Sequence, residues 1–394
     1  MNAPQEWPFF RLAEIAETCS GTTPSRSRRD YFGGTIPWVK TGELTDGLIT
    51  KTEEYVTDNA LRESALRLLP KKTLLVAMYG QGQTRGRTGL LGCEATTNQA
   101  CFAILPNERI DTEFLQFWFR SSYQRLRFLT ANRGANQPNL NGNVLSEELI
   151  PLPSLSIQRT VAEKLRERFS HVATARSAVE AQIKAVLAVP AALTREDTLD
   201  CDTSQQPLGD VLDEITAGVG DAWRNQSVLG ATRAGLAPAK EGVGKQPHRY
   251  KPVTPGTVFY NPMRILLGSI ALVDDGDTSG ITSPDYVVIR GRKGVLHPVW
   301  FYYWFRSPAG AEFIKTLTRG AVRERLLFNR LAPGLIPVPT WDRQLVTVER
   351  VRAAERARSS FAARLKVLEK LPATLLREVF GGEAVAVESE AVVS

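Results

Sequence analysis

The chain has 394 residues, 43% of them hydrophobic, and its 49 Lys and Arg against 42 Asp and Glu leave a net charge of +7. This excludes global disorder and, at this length, a single core; two domains of roughly 150 residues with helical connectors fit better. The basic balance favours a polyanionic partner such as nucleic acid, a plain solubility effect being the alternative.

Four scattered cysteines without a Cys-x-x-Cys pair, and only three histidines, argue against a zinc site and for a reducing compartment. Met1 to Phe10 has no basic region followed by an apolar core, and no apolar run approaches about 18 residues. The protein is therefore expected to be soluble, unprocessed and cytoplasmic.

In chain order, a first module is expected over 1–153. Thr35–Lys40, Leu74–Met78 and Ala100–Leu105 are short apolar runs bounded by turn residues and predict buried strands. A helix is predicted over 112–130, with Asp111 as its N-cap. Next, Ala162, Leu165, Phe169, Val172, Val179, Ile183 and Val186 alternate by three and four, the a and d positions of a heptad, and predict a long helix over 154–192.

The second module, 193–339, repeats the plan with strands at Gly256–Tyr260 and Tyr286–Ile289 and a helix over 300–313. A second heptad helix, 340–380, carries Val351, Ala354, Phe361, Leu365 and Leu368. Both long helices are expected to end near a proline, Pro190 and Pro372, where a helix loses a donor and meets a clash. Arg176 and Arg358 interrupt the two stripes at corresponding positions, pointing outward to solvent, paired with a carboxylate such as Glu180 or Glu355, or facing a partner subunit. Residues 381–394 are small and acidic and predict a disordered tail.

The two modules are copies. Leu149-Ile150-Pro151-Leu152-Pro153 with Gln158 returns as Leu335-Ile336-Pro337-Val338-Pro339 with Gln344, an offset of 186 residues. Phe119-Arg120-Ser121 and Arg133-Gly134-Ala135 return at the same offset, as Phe305-Arg306-Ser307 and Arg319-Gly320-Ala321. That period is too long for a solenoid repeat, which runs about 20 to 50 residues. The expected class is α+β: two mixed α/β modules related by pseudo-two-fold symmetry and separated by two long antiparallel helices, a coiled-coil spacer.

Taken together, Ile36-Pro37-Trp38-Val39-Lys40, Asn98-Gln99-Ala100, Asn136-Gln137-Pro138-Asn139-Leu140, the two Ile-Pro-x-Pro helix starts and Leu376-Arg377-Glu378-Val379-Phe380-Gly381 resemble the specificity subunit of a type I restriction-modification system. The resemblance covers nearly the whole chain. Two departures are visible: Ile157-Gln158 and Arg343-Gln344 stand where the family usually has Glu-Gln, and the second module has no Ile-Pro-Trp segment. The resemblance implies a non-catalytic reader of double-stranded DNA. Each module would be a target-recognition domain for one half of a bipartite sequence. Two methyltransferase subunits would embrace the helices, and motor-nuclease subunits would join in the full complex. S-adenosylmethionine, ATP and Mg would then belong to those partners, with no cofactor on this chain.

Candidate DNA contacts fall in polar loops. Tyr79, Gln81, Gln83, Arg85 and Arg87 lie in a glycine-rich loop after a strand, where Gln suits adenine and Arg suits guanine or phosphate, a solvated hairpin being the alternative. Arg28 lies in the basic loop Ser25–Arg29, which suits phosphate, a disordered, merely soluble charge run being the alternative, and Lys40 is a further candidate for DNA contact. Arg133, Asn136, Gln137 and Asn139 form an amide-rich loop that is either a contact or a turn. In the second module Lys245, His248, Arg249 and Tyr250 interleave basic and aromatic groups, Arg264 follows a strand, and Arg319, Arg323 and Arg325 concentrate charge before the second long helix.

Enzyme signatures are incomplete: Asn261-Pro262-Met263-Arg264 matches a methyltransferase motif at two of four positions, and Gly242–Gln246 lacks phosphate-loop spacing. His171 and His297 are expected to be structural or exposed. A DNA-binding regulator or scaffold that needs no enzyme partner is the alternative, and a DNA-modifying enzyme acting alone is a third.

Overall fold

The computed structural model describes residues 7–80, 82–131, 140–200, 202–318 and 325–391. The chain divides into two compact units, one formed by Met1–Ser177 with Lys366–Ser394 and the other by Ala178–Leu365.

In the first unit the sheet runs in the order Thr18–Ser20, Cys101–Ile104, Leu74–Ala77, Thr88–Leu91, Leu48–Ile49. Leu74 lies opposite both Ile104 and Leu90, so the three central strands are antiparallel neighbours. Every residue of those strands is buried, which is why they read as apolar runs without polar alternation.

The two-residue period nevertheless sorts them. Leu74, Val76, Phe102 and Ile104 face a core shared with Phe114, Leu115 and Trp118 of helix Thr112–Ser121. Leu75, Ala77, Cys101 and Ala103 face a second core with Val39 and Leu69. Beside it, strand Phe32–Val39 pairs with Glu54–Val56 and Thr96–Thr97. The buried Trp38 indole there donates to the Thr22 carbonyl at 3.2 Å.

The second unit repeats the arrangement. Its sheet runs Leu212–Glu214, Val287–Gly291, Thr257–Tyr260, Ile270–Val273. Val258, Tyr260, Ile270, Leu272, Val287 and Ile289 pack beneath helix Pro298–Arg306, while Phe259, Ala271, Val273 and Val288 form the opposite core. The α+β class holds in both halves.

Each helix expected to follow the last sheet strand is split in two. The first unit has Thr112–Ser121 and Tyr123–Ala131, the second Pro298–Arg306 and Pro308–Thr318. In the second case Pro308 forces the preceding Ser307 out of helical geometry, to φ −70° and ψ 166°. In the first, the Ser121 hydroxyl bonds the Trp118 carbonyl at 2.6 Å, a local alternative to the helix ladder.

The two long helices are Leu155–Thr198 and Trp341–Ala391. The first unit holds the beginning of one and the end of the other, and the second unit the converse. Their apolar stripes are buried or half-buried at the a and d positions, and the residues between them are mostly exposed.

The expected ends at Pro190 and Pro372 are corrected: both prolines lie inside continuous helix. Packing on their C-terminal side is the reason. Leu193, Thr194 and Asp197 are buried beyond Pro190, and Leu376 and Phe380 beyond Pro372, so tertiary contacts hold helical a segment that local sequence would release. The Thr194 hydroxyl also donates to the Pro190 carbonyl at 3.0 Å. Past Gly381, where a disordered tail was expected, the backbone is helical to Ala391. Arg176 and Arg358 both face solvent, and Arg358 pairs with Glu355 at 2.6 Å.

Candidate nucleic-acid interface

A buried glutamine fixes each module to the start of its long helix. The Gln158 amide donates to the carbonyls of Arg109 (3.1 Å) and Pro153 (2.9 Å), and its oxygen accepts from the Asp111 N–H at 2.8 Å. Gln344 donates to the carbonyls of Val295 and Pro339, both at 2.8 Å, and accepts from the His297 N–H at 2.7 Å. All four residues of one clamp correspond to the other at the offset of 186. Asp111 and His297 are also the N-caps of corresponding helices. Burial first, and the nearby Arg352 second, push the His297 imidazole pKa below its ordinary value.

On this frame the first hairpin, Leu74–Ala77 and Thr88–Leu91, presents the glycine-rich loop. Its backbone is gripped from helix Tyr123–Ala131: the Tyr123 hydroxyl donates to the Gln83 carbonyl at 2.7 Å, and the Arg127 guanidinium donates to the carbonyls of Gly82 (3.0 Å) and Arg85 (3.2 Å). Gly86, at φ +83°, lies where a Cβ would come within 3.3 Å of the Tyr123 ring, so this close seating demands glycine.

Tyr79 donates its hydroxyl to the Gln99 carbonyl at 3.0 Å. Arg87 is held by Asp46 at 2.8 Å, and its Nη2 donates to the Gln83 side chain at 3.4 Å. The structure thus brings Tyr79, Gln83, Arg85 and Arg87 together in one supported loop.

Arg28 and Lys40 stand elsewhere and are already engaged. Arg28 bonds Asp30 (2.8 Å) and Glu63 (2.9 Å) and lies over the Tyr31 ring. Its hydrogen bond to Asp30, then that to Glu63, raises its pKa, while Asp30 falls to about 2. Lys40 reaches Glu53 and Glu54, each at 3.0 Å. Arg26 joins Glu54 at 2.6 Å, and these two hydrogen bonds, from Arg26 first, lower the Glu54 carboxyl to about 2. A phosphate approaching this corner competes with resident carboxylates.

In the second unit Lys245, His248 and Arg249 are exposed, with Arg249 donating to the Gln246 side chain at 2.8 Å. Tyr250 is buried, and its hydroxyl accepts the Gly244 N–H at 2.8 Å, so it shapes the loop from within. The Tyr250 carbonyl accepts from the Val219 N–H at 2.8 Å, seating the turn Gly220–Asn225 against this loop. That turn carries Trp223 and Arg224, the guanidinium 5.3 Å from the ring centroid.

The sequence reading missed this pair; its signal was a tryptophan in a polar, glycine-rich stretch with no periodicity to bury it. Arg264 is exposed at the tip of the second hairpin, Thr257–Tyr260 and Ile270–Val273, and Arg325 lies 3.6 Å from Asp285. Gln81, Arg133, Asn136, Gln137, Asn139, Arg319 and Arg323 lie outside the described residues.

Among the described residues, no group of three or more His, Cys, Asp or Glu could hold a metal ion, and no helix is long and apolar enough to cross a membrane.

Two sheet-rich modules on one plan, each clamped to a long helix and each offering a polar loop cluster, define a duplicated α+β protein. Residues 4–185 match the family described as type I restriction modification DNA specificity domain. Over 165 residues the chain is 30% identical to the type I restriction enzyme MjaIX specificity subunit of Methanocaldococcus jannaschii, covering 41% of this chain and 38% of that relative. Over 287 residues it is 23% identical to the EcoKI specificity subunit of Escherichia coli K12, covering 67% and 57%.

The crystal structure of the HsdS subunit from Thermoanaerobacter tengcongensis shares the fold with a TM-score of 0.64 at 17% identity, covering 96% of this chain and 98% of that one. The chain spans about two fifths of the MjaIX subunit and somewhat over half of the EcoKI subunit. The family match is confined to residues 4–185, and the relatives it resembles are type I restriction enzyme specificity subunits.

Proposed function

We propose that this chain is the sequence-reading, non-catalytic subunit of a type I restriction-modification complex. Each module reads one half of a bipartite double-stranded DNA target, and the chain places adenine methyltransferase subunits, and in the full assembly motor-nuclease subunits, on that target. The observation that carries the reading is the clamp repeated at Gln158 and Gln344: one frame, built twice, carries loops that differ in sequence. A duplicated frame with divergent loops is what two different half-sites require.

This chain contributes position and sequence choice. Polar loops bind groove edges and phosphates, and the long helices offer the partners a surface. Because an adenine inside the stack is unreachable, the methyltransferase partners must extrude it, using S-adenosylmethionine of their own. ATP and Mg belong to the motor-nuclease partner.

Co-expression with methyltransferase subunits, followed by mapping of methylated adenines, tests the proposal. The expected result is one methylated adenine in each half of a split site. Exchanging residues 1–153 for those of a relative should then change one half only. Methylation by the isolated chain, or tight specific binding that needs no partner, would reject it in favour of a lone enzyme or an autonomous regulator.

A further inference from the structure

The two hairpins occupy the same place in their sheets yet end in opposite chemistry. In both units the hairpin's first strand is bonded on its other side to the strand that precedes the module's buried helix. The first tip offers Gly82, Gln83, Thr84 and Arg85. The second offers Met263, Leu266 and Leu267, which are 68%, 44% and 70% exposed. Large apolar side chains grouped on an exposed tip mark a contact surface rather than a packing accident.

This second tip is built to hold its shape. Ile265 is buried and anchors it. The Asn261 N–H bonds the Ser269 carbonyl at 3.1 Å, and the Arg264, Leu267 and Gly268 N–H groups find the carbonyls of Asn261, Arg264 and Ile265 at 3.0, 3.0 and 2.8 Å. The Asn261 side chain accepts the Met263 N–H at 3.0 Å. Gly268 turns the chain at φ +81°. The backbone of the tip is satisfied internally, so contact by the exposed side chains carries little further ordering cost.

Cations border it. Arg264 is within the tip, the exposed Arg233 passes beside Gly268, and the Pro262 carbonyl accepts the Leu326 N–H at 3.1 Å, bringing the half-exposed Arg325 and Leu327 to the same edge.

We infer that the Met263–Leu267 tip is an apolar wedge, which enters the DNA half-site read by the second module and partly unstacks a base step, while the bordering arginines hold the flanking phosphates. The inference rests on the DNA-reading function proposed above. Two observations select DNA as the occupant: the matching position on the first sheet carries a polar loop suited to base edges, and the rim is cationic. Met and Leu are among the side chains used as wedges between base steps, with kinking of the duplex. Apolar insertion also explains how a module without glutamines at its hairpin tip keeps a contact there.

The test uses the complex with methyltransferase subunits and duplexes carrying 2-aminopurine at successive positions of each half-site. Leu267→Ala, and Met263→Ala with Leu267→Ala, remove exposed side chains, and unchanged melting curves will verify the fold. The wedge predicts that the wild-type complex brightens 2-aminopurine at one step of one half-site. It also predicts that the double variant abolishes this and weakens specific binding about tenfold or more, with an unchanged salt slope because no phosphate contact is lost. Arg264→Ala should instead lower the slope by about 1.

Affinity and 2-aminopurine fluorescence that are the same in the double variant and the wild type would overturn the wedge. So would loss of methyltransferase subunits from the double variant at unchanged DNA affinity, which would make the tip a protein contact. A wild-type complex with no preference for any split duplex would reject the DNA-reading function itself, and the wedge with it.

Discussion

At the scale of single residues, the candidate interface separates cations left open to a ligand from cations already engaged by neighbours. Lys40 and Arg26 share Glu54, whose carboxyl sits at about 2 because both donate to it. A carboxyl depressed from its ordinary 4.5 stabilises the fold above that value, and the contribution is lost as pH falls from about 4.5 through about 2. Glu54→Gln should therefore flatten the acid limb of an unfolding titration in that window and leave neutral-pH structure intact. It should also release Arg26, while Lys40 keeps Glu53, raising non-specific DNA affinity and steepening its salt slope by about 1.

An unchanged acid limb would show that Glu54 is not held as described. None of this neutralisation was legible in the sequence, since Glu54 is far along the chain from Arg26 and Lys40. Charge alone advertised the basic loop and hid its partner.

At the scale of elements, periodicity was legible where packing enforced it, and punctuation misled where packing overruled it. The heptads at Ala162–Val186 and Val351–Leu368 are the stripes that are buried or half-buried. The same spacing continues through Pro190 to Leu193 and Asp197, and through Pro372 to the half-buried Leu375 and Val379 beside the buried Leu376 and Phe380, so the better guide was the period and not the proline. Beyond Pro190 the Asp197 carboxylate accepts from the Trp300 indole at 2.8 Å and from Arg343 Nε at 2.7 Å, a buried anchor whose three members no local pattern connects.

If tertiary contacts hold a strained helix, removing the proline should relieve it. Pro190→Ala restores an N–H donor and removes a ring clash whose intrinsic cost in a helix is about 3 kcal/mol. Some of that is already relaxed in the folded chain, so denaturant unfolding should show a gain of about 1 kcal/mol or more. A loss would mean that the proline's own shape, buried as it is, is part of the packing.

At the scale of the whole molecule, the modules are continuous in sequence only in part. The duplication could be read from islands at an offset of 186. That the first globule is finished by a helix from the far end of the chain could not, because apolar positions on a heptad do not name their partners. The first unit's core includes Leu376 and Phe380, with the Phe380 ring 5.5 Å from Phe114 and 6.3 Å from Trp7. Phe114 in turn stands three residues from Asp111, whose N–H closes the Gln158 clamp.

Phe380→Ala should cost about 3 to 4 kcal/mol, the range for deleting a buried aromatic ring, and the loss should register in the first module. Hydrogen exchange of helix Thr112–Ser121 is the readout, since its amides should exchange faster in the variant while those of Pro298–Arg306 do not. The opposite pattern would assign the end of the second long helix to the other module. The expected pattern would mean that the first module is not complete without the end of the second long helix. Substitutions at a hairpin tip leave the Gln158 and Gln344 clamps and the apolar stripes untouched, so the loops can diverge while each module keeps its frame.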